Sequence, residues 1–405
     1  MRRFVLPFDN AAIIAGMAFL LLPVAVLAPL GIAAVAGAAA ALVLLRGLIP
    51  PRRWPPVDRT TLIAVGLLVL WAALTAFWSL QPERSFAGAV RVGAICFGGL
   101  VLIGAANEFD ASQRRLTAMG LLLGGALGAI LLAVNFLTDT GINRLFVDEA
   151  PKFPITLLNR TGSVVAILAW PMAIAVGQRW RAGGIAVLLL AAALALTRFE
   201  PTVPLIAFAG AGAVFAMALW RPRPVANALA AAIVVVILAL PVLPQLAPQL
   251  DTALTSEHAN ENSISHRLAI WAFGTHRALE RPLTGWGMAT SRAIPGGSDS
   301  VVVSGGAYLG KAEAIPLHPH NAFVQIWLEA GLPALLLAAF VVLRALRRIP
   351  DNAVGRLETA AGLATATALL VVANLSYGIW QGWWLCFIWL VAALVAALVQ
   401  RPAAP

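Results

Sequence analysis

Apolar runs, each close to the roughly 20 residues that an α-helix needs to cross a bilayer, follow one another along almost the whole chain. They lie near 11–28, 30–46, 60–79, 87–106, 116–137, 161–177, 183–198, 203–220, 226–244, 321–344, 357–377 and 380–400. They predict about twelve transmembrane helices, the first two divided at Pro29 and Gly31. Most links between runs are short and tipped with Arg. Two are longer: 138–160, and a stretch over 245–320 that is too long to be only a connection. Within it the pattern predicts a helix over 263–281, entered at Asn262 or Ser263 and stopped by Pro282. At about 100° per residue, Ile264, Leu268, Trp271 and Leu279 form an apolar stripe, while His266, Arg267, Arg277 and Arg281 share another arc. The expected fold is an all-α polytopic membrane protein. It would be a single integral membrane domain over 1–405, with a large, partly helical loop at 245–320 between the ninth and tenth helices.

Composition agrees. With 60% apolar and 11% charged residues and a mean hydropathy of +0.87, the chain is far more apolar than soluble proteins, at about 45–50%. The net charge of +10 does not point to nucleic acid, because the Lys and Arg residues are scattered between apolar runs without a basic stripe. They report topology instead. Placing the N-terminus in the cytoplasm puts most Lys and Arg inside and most Asp and Glu outside, the positive-inside pattern. Both termini are then cytoplasmic and the 245–320 loop faces outward. Met1-Arg2-Arg3 before an apolar run reads as the start of an uncleaved first helix, since another apolar run follows at once. Cys96 and Cys386 both sit inside apolar runs, so no disulfide framework or CxxC metal site is expected.

The candidate chemistry gathers in the loop, which holds all the histidines: His258, His266, His276, His318 and His320. In Leu317-His318-Pro319-His320-Asn321, Pro319 keeps His318 out of helical geometry, and Asn321 is a good N-cap for the helix that follows. His320 then lies beside the positive end of a helix dipole, which favours a neutral imidazole able to take a proton near pH 7. A His-x-His metal pair and a plain surface histidine are the competing readings; without a clear third ligand, the base is preferred. Arg91 a little inside the fourth helix, Arg160 at the start of the sixth and Arg198 at the end of the seventh join Arg267 as outer-end cations. Guanidinium groups match phosphate oxygens bidentately, so these residues suit a pyrophosphate. The plainer reading is that each anchors a helix end. Tyr377, Trp380, Trp383 and Trp384 are read as interfacial anchors.

Taken in order, these residues resemble the O-antigen ligase family. The resemblance rests on Asn159-Arg160 leading to Trp170-Pro171, Arg267-Leu268-Ala269-Ile270-Trp271, Arg281-Pro282-Leu283-Thr284-Gly285-Trp286-Gly287, and His318-Pro319-His320-Asn321 with Glu329-Ala330-Gly331. It covers about residues 150–345. It implies a metal-independent glycosyltransferase of the bacterial inner membrane with a fold similar to C-type glycosyltransferases and no cofactor. Such enzymes move O-antigen from undecaprenyl pyrophosphate to the lipid A-core oligosaccharide, on the periplasmic side, in lipopolysaccharide biosynthesis. By resemblance His320 is the base and Arg267 holds the pyrophosphate, with His318 and Asn321 in support. Arg198 lies where the family has another such arginine, but its surroundings, Thr197-Arg198-Phe199-Glu200-Pro201, depart from the usual small residues and make Glu200 a candidate to share or replace its role. No Walker A sequence or Rossmann fingerprint is present. An O-antigen polymerase, sharing the donor, is the nearest rival reading. A transporter or flippase is a more distant one, since the distinctive polar residues gather at one surface rather than at the midplane.

Overall fold

The computed structural model describes residues 9–49, 54–145, 158–255, 261–305 and 308–399. Arg2, Arg3, Arg52, Arg53, Arg401 and His258, used in the sequence reading, lie outside the described residues. The helices are α1 (Asn10–Leu27), α2 (Ile32–Leu48), α3 (Arg59–Leu74), α4 (Pro82–Asn107), α5 (Ala111–Leu137) and the short α6 (Gly141–Arg144). They continue with α7 (Asn159–Leu196), α8 (Val203–Trp220), α9 (Pro222–Ala239), α10 (Leu243–Thr255), α11 (Glu261–Glu280), α12 (Ala322–Asn352), α13 (Arg356–Leu375) and α14 (Gly382–Val399).

Among the described residues eleven helices are long and apolar enough to cross a membrane. One of them, α7, is two passes. As a straight rod its 38 residues would reach roughly 57 Å, about twice the hydrocarbon thickness. Instead Arg181 takes non-helical angles (φ 53°, ψ −152°) and the chain folds back. A Cβ built on Gly177 would stand 3.0 Å from Ile185 Cδ1, and Asn159 Nδ2 donates to Glu200 Oε2 at 3.5 Å. The polytopic all-α fold expected from the sequence is thus borne out, with the predicted 161–177 and 183–198 spans as an antiparallel pair.

Close backbone approach builds the bundle. Gly120, Gly124 and Gly128 form a small-residue stripe on α5, against which Ala15, Phe19 and Leu22 of α1 press; a Cβ on Gly124 would lie 2.0 Å from Phe19 O. α14 runs through the middle, with Trp384, Phe387 and Leu390 fully buried. At the end opposite the loop, Asp58 caps α3 by accepting from Thr61 N at 2.9 Å. The same carboxylate takes Arg344 and Arg348 of α12 at 3.1 and 2.6 Å.

The loop contains α10, α11 and one element the sequence reading did not foresee, an antiparallel hairpin of β1 (Ser300–Gly305) and β2 (Tyr308–Glu313). Helix α11 matches the predicted 263–281 helix, but its buried face is turned. Leu279, expected on the apolar stripe, is exposed, and Leu268, Ile270, Thr275 and Ala278 are buried. The cause is packing on α12, where Gly274 would bring a Cβ to 3.0 Å from Val324 Cγ1.

Candidate active site

Helix α12 starts as predicted: Asn321 accepts from Val324 N at 3.1 Å. It breaks at Gly331, whose φ of +74° departs from helical geometry. Pro333 follows, without an N–H to give to Glu329 O. A break frees helical carbonyls that must find other donors when buried. Each is met from a distant part of the chain. Trp286 N donates to Leu328 O at 3.0 Å and Gly287 N to Glu329 O at 2.8 Å, while Trp71 Nε1 takes Ala330 O at 2.7 Å. Leu332 N turns to Pro282 O at 2.8 Å. Glycine is required on both sides. Gly285 has φ +66°, and a Cβ there would meet Glu329 C at 2.5 Å; on Gly331 it would meet Leu283 O at 2.1 Å. The two motifs Arg281–Gly287 and Glu329–Gly331 are therefore one structure, a loop segment sewn onto a broken helix.

The Glu329 side chain, 1% exposed, completes the seam. It accepts from Ala289 N at 2.6 Å, from Ser291 Oγ, from Gln325 Nε2 at 3.2 Å and from Trp380 Nε1 at 2.7 Å. These donors suit an acceptor-only carboxylate.

The upper part of α12 carries the His318-Pro319-His320 turn. Trp271 Nε1 of α11 donates to Pro319 O at 3.0 Å and fixes the turn against the loop helix. His320 has φ +55°, a left-handed conformation uncommon outside glycine and met at functional sites. Its Nδ1 lies 2.5 Å from Ser376 O. A carbonyl can only accept, so Nδ1 carries the proton and Nε2 keeps its lone pair. His318 is placed differently. The backbone N–H of His320 points at its Nδ1 and that of Gly378 at its Nε2, both at 3.1 Å. A neutral imidazole has one lone-pair nitrogen and accepts one of these N–H groups; a doubly protonated ring could accept neither, and burial, with the charge of His320 adding, pushes the His318 pKa down to about 3. This geometry separates the two histidines: His320 has Nδ1 on a carbonyl and keeps Nε2 as a lone-pair nitrogen, while both ring nitrogens of His318 face backbone N–H groups. The His320 pKa is lowered too, first by burial, with Arg267 and His266 adding their like charge and the Ser376 bond opposing. The expectation of a neutral imidazole thus meets its main cause in burial. Arg267 is half-buried on α11 within electrostatic reach of His320, and the preceding His266 has its Nε2 at 3.3 Å from Glu313 O.

Beside this turn opens a cavity of about 690 Å³. His318, Gln325 and Glu329 line it, as do Arg91 of α4 and Arg160 of α7. His320, Arg267, Arg198 and Glu200 are not among its lining residues. Arg198 and Glu200 are exposed just past α7, where Glu200 takes Asn159. Arg277 and Arg281 also stand apart. Arg277 pairs with Glu280 at 2.7 Å, and the Arg281 guanidinium lies 4.0 Å from the Trp286 ring centre.

Sequence reading missed three things. Arg84 and Arg292 line the cavity; Arg84 and Arg91, seven residues apart, share a helix face, a signal that was present in the sequence. The third is the link Ser376–Gln381 between α13 and α14. Its backbone supplies Ser376 O to His320, Gly378 N to His318 and Ile379 N to Gln325 Oε1. The aromatic residues taken as interfacial anchors belong here, and that reading is corrected. Trp380, Trp383 and Trp384 are 7%, 5% and 0% exposed; Trp380 holds Glu329, and Arg160 lies over the Trp383 ring.

Residues 185–339 match the family described as O-Antigen ligase. The chain is 27% identical over 338 residues to a protein named as a candidate polysaccharide ligase of Rickettsia conorii, covering 82% of this chain and 79% of that one. It is 25% identical over 332 residues to a similarly named protein of Rickettsia typhi, covering 81% and 78%. The resemblance to the O-antigen ligase family is borne out, and the matched segment includes Arg267, His320 and the sewn break of α12.

Proposed function

We propose, from that family likeness and the geometry around His320, that the chain is an O-antigen ligase of the bacterial inner membrane. In this reading both termini are cytoplasmic and the 245–320 loop is periplasmic. The donor is O-antigen polysaccharide on undecaprenyl pyrophosphate and the acceptor is a hydroxyl of the lipid A-core oligosaccharide. His320 Nε2 takes the proton of that hydroxyl as its oxygen bonds to the anomeric carbon. The bond from that carbon to the pyrophosphate oxygen breaks, and the pyrophosphate leaves with the electron pair. Pyrophosphate is already a good leaving group, so the protein's work is to orient two lipids, meet the departing charge and accept one proton. Arg267, within electrostatic reach of the base, is assigned to the departing charge. Arg91 and Arg160 supply positive charge in the neighbouring cavity, and Arg198 and Glu200 have the weaker claim because they stand outside its lining.

The observation that carries the proposal is the fixed tautomer of His320, with Nδ1 on the Ser376 carbonyl and Nε2 left as the basic nitrogen. The test is transfer by purified protein from the lipid-linked donor to a defined lipid A-core acceptor. Transfer by wild type, and its loss in His320→Ala and Arg267→Ala at normal membrane insertion, is the expected result. Near-normal transfer by both variants would overturn the assignment. In cells, a null strain that keeps long polymer on the lipid carrier and none on lipid A supports ligation. A single repeat unit on lipid A would make the enzyme a polymerase.

A further inference from the structure

The cavity beside the histidine turn holds more cationic charge than the transfer reaction described above explains. Four guanidinium groups line it: Arg84 and Arg91 on one face of α4, Arg160 at the head of α7, and Arg292 on the short turn Ser291–Ala293. Its one acidic lining residue, Glu329, spends its carboxylate on donors within the protein. Arg292 is tied to Glu313 at 2.8 Å. Arg84, Arg91 and Arg160 have no acidic partner among the described residues, and the hydrogen bond recorded for Arg84 is a 3.4 Å contact with Gln81. Like charges held around one concavity repel each other unless an anion joins them, and they raise the local concentration of anionic ligands. The volume, about 690 Å³, is in the range of pockets that enclose a small-molecule headgroup.

Arg267, whose charge reaches the base, is not part of this lining. His318 is: its ring centre stands 4.2 Å from that of His320, so the cavity reaches the base through the supporting histidine. The protein therefore offers two guanidinium-bearing places that meet at the His318–His320 pair. A glycosyl transfer between two lipids brings two headgroups to one reaction centre, the donor carrying the anomeric carbon and the acceptor its hydroxyl, and two guanidinium-bearing places can hold one headgroup each.

We propose that the cavity lined by Arg84, Arg91, Arg160 and Arg292 is a phosphate-binding site separate from the Arg267 place, so that each of the two lipid substrates is gripped through a phosphate of its own headgroup. This rests on the transfer function proposed above and adds Arg84 and Arg292 to its binding residues. It also requires that the acceptor carry phosphate near the reacting sugar. The ligand chemistry is the same whether the cavity takes the donor pyrophosphate or an acceptor phosphate.

The test uses the purified full-length enzyme and KM measured separately for the lipid-linked donor and the lipid A-core acceptor. The Arg84→Ala/Arg292→Ala double variant is expected to raise one KM by roughly tenfold or more, the loss of charge-assisted phosphate contacts, with the other KM within about twofold. Arg267→Lys, which keeps the charge but loses the bidentate fork, is expected to raise the other KM. If the cavity serves the acceptor, phosphatase treatment of the acceptor raises the wild-type KM and adds little in the double variant. If it serves the donor, the double variant raises the donor KM, phosphatase treatment of the acceptor reproduces the effect of Arg267→Lys, and the departing charge passes from Arg267 to the cavity arginines. Arg84→Lys/Arg292→Lys checks folding, and a smaller rise in the same KM is expected. Rises in the same KM for both sets of variants would mean one composite site, and unchanged KM values would mean that the cavity arginines only face lipid; either result overturns the proposal. Neither touches the transfer function, whose failure would appear as undiminished transfer by His320→Ala.

Discussion

A single imidazole is made directional by its neighbours. Because Ser376 O claims Nδ1 of His320, only Nε2 is basic, and replacing the ring by Ala is expected to lower transfer roughly 10²–10⁴-fold, the usual worth of a positioned base. The pH dependence follows from the charges facing it. The base form is the neutral one, and the His320 pKa lies below its ordinary 6.5, so kcat/KM should rise with pH through a midpoint below that value and then level off. His266→Ala removes one of the two like charges that lower the pKa, Arg267 being the other, and should move the midpoint up in a pH–rate profile. His318 answers to stability instead. Its folded pKa of about 3 against 6.5 means that the unfolded chain binds the proton first, so stability should be full above pH 6.5 and fall as pH drops toward 3. Unfolding in detergent across that range measures it. EDTA is expected to leave transfer largely unchanged, because the ring nitrogens of His318 and Nδ1 of His320 already have backbone partners. Inhibition reversed by zinc would restore the metal-pair reading. His320 and Asn321 were legible because Pro and N-cap rules act within a few residues of chain. Ser376–Gln381 and Arg292 were not, because their meeting with the histidines is made by tertiary packing alone, whereas Arg84 could have been found from its place seven residues before Arg91 on one helix face.

At the scale of elements, the notable one is the seam between Pro282–Gly287 and the break in α12. Gly331→Ala would place a Cβ 2.1 Å from Leu283 O at φ +74°. It should destabilise by about 1–3 kcal/mol for the left-handed backbone, with the clash in addition. Gly285→Ala, 2.5 Å from Glu329 C, should behave alike. Gly16→Ala on α1 meets nothing within 4 Å and should be neutral or mildly stabilising, by about 1 kcal/mol at most. Thermal unfolding midpoints in one detergent would rank the three. The sequence Gly331-Leu332-Pro333 hinted at the break. What it could not disclose was where the released carbonyls go, since Trp71, Trp286 and Gly287 lie far away along the chain. For the same reason the α11 stripe was read with Leu279 inward: helical periodicity defines faces, and only Val324 on α12 decides which face is covered.

Across the whole molecule, span lengths carried most of the fold. The region 159–196, which the sequence divides into spans at 161–177 and 183–198, is continuous in hydrogen-bond pattern yet folded on itself at Arg181. A cross-linking experiment distinguishes the alternatives. In a chain with Cys96 and Cys386 replaced, Asn159→Cys and Glu200→Cys should join through a short bifunctional thiol reagent, as their native side chains stand 3.5 Å apart. A straight helix of roughly 57 Å would prevent it. The break at Gly331 also divides α12 mechanically, with the proposed reaction centre on one side of it. Residues 322–330 are buried and fastened to the protein's own scaffold, while the shaft below the joint rides in the bilayer, clamped at its far end to Asp58. When bilayer thickness changes, a spanning helix adjusts by tilting, and the joint at Gly331 is where that tilt is expected to be taken up. Turnover should then stay within about twofold across vesicles of different acyl length, so that the catalyst keeps its alignment while its membrane changes composition around it.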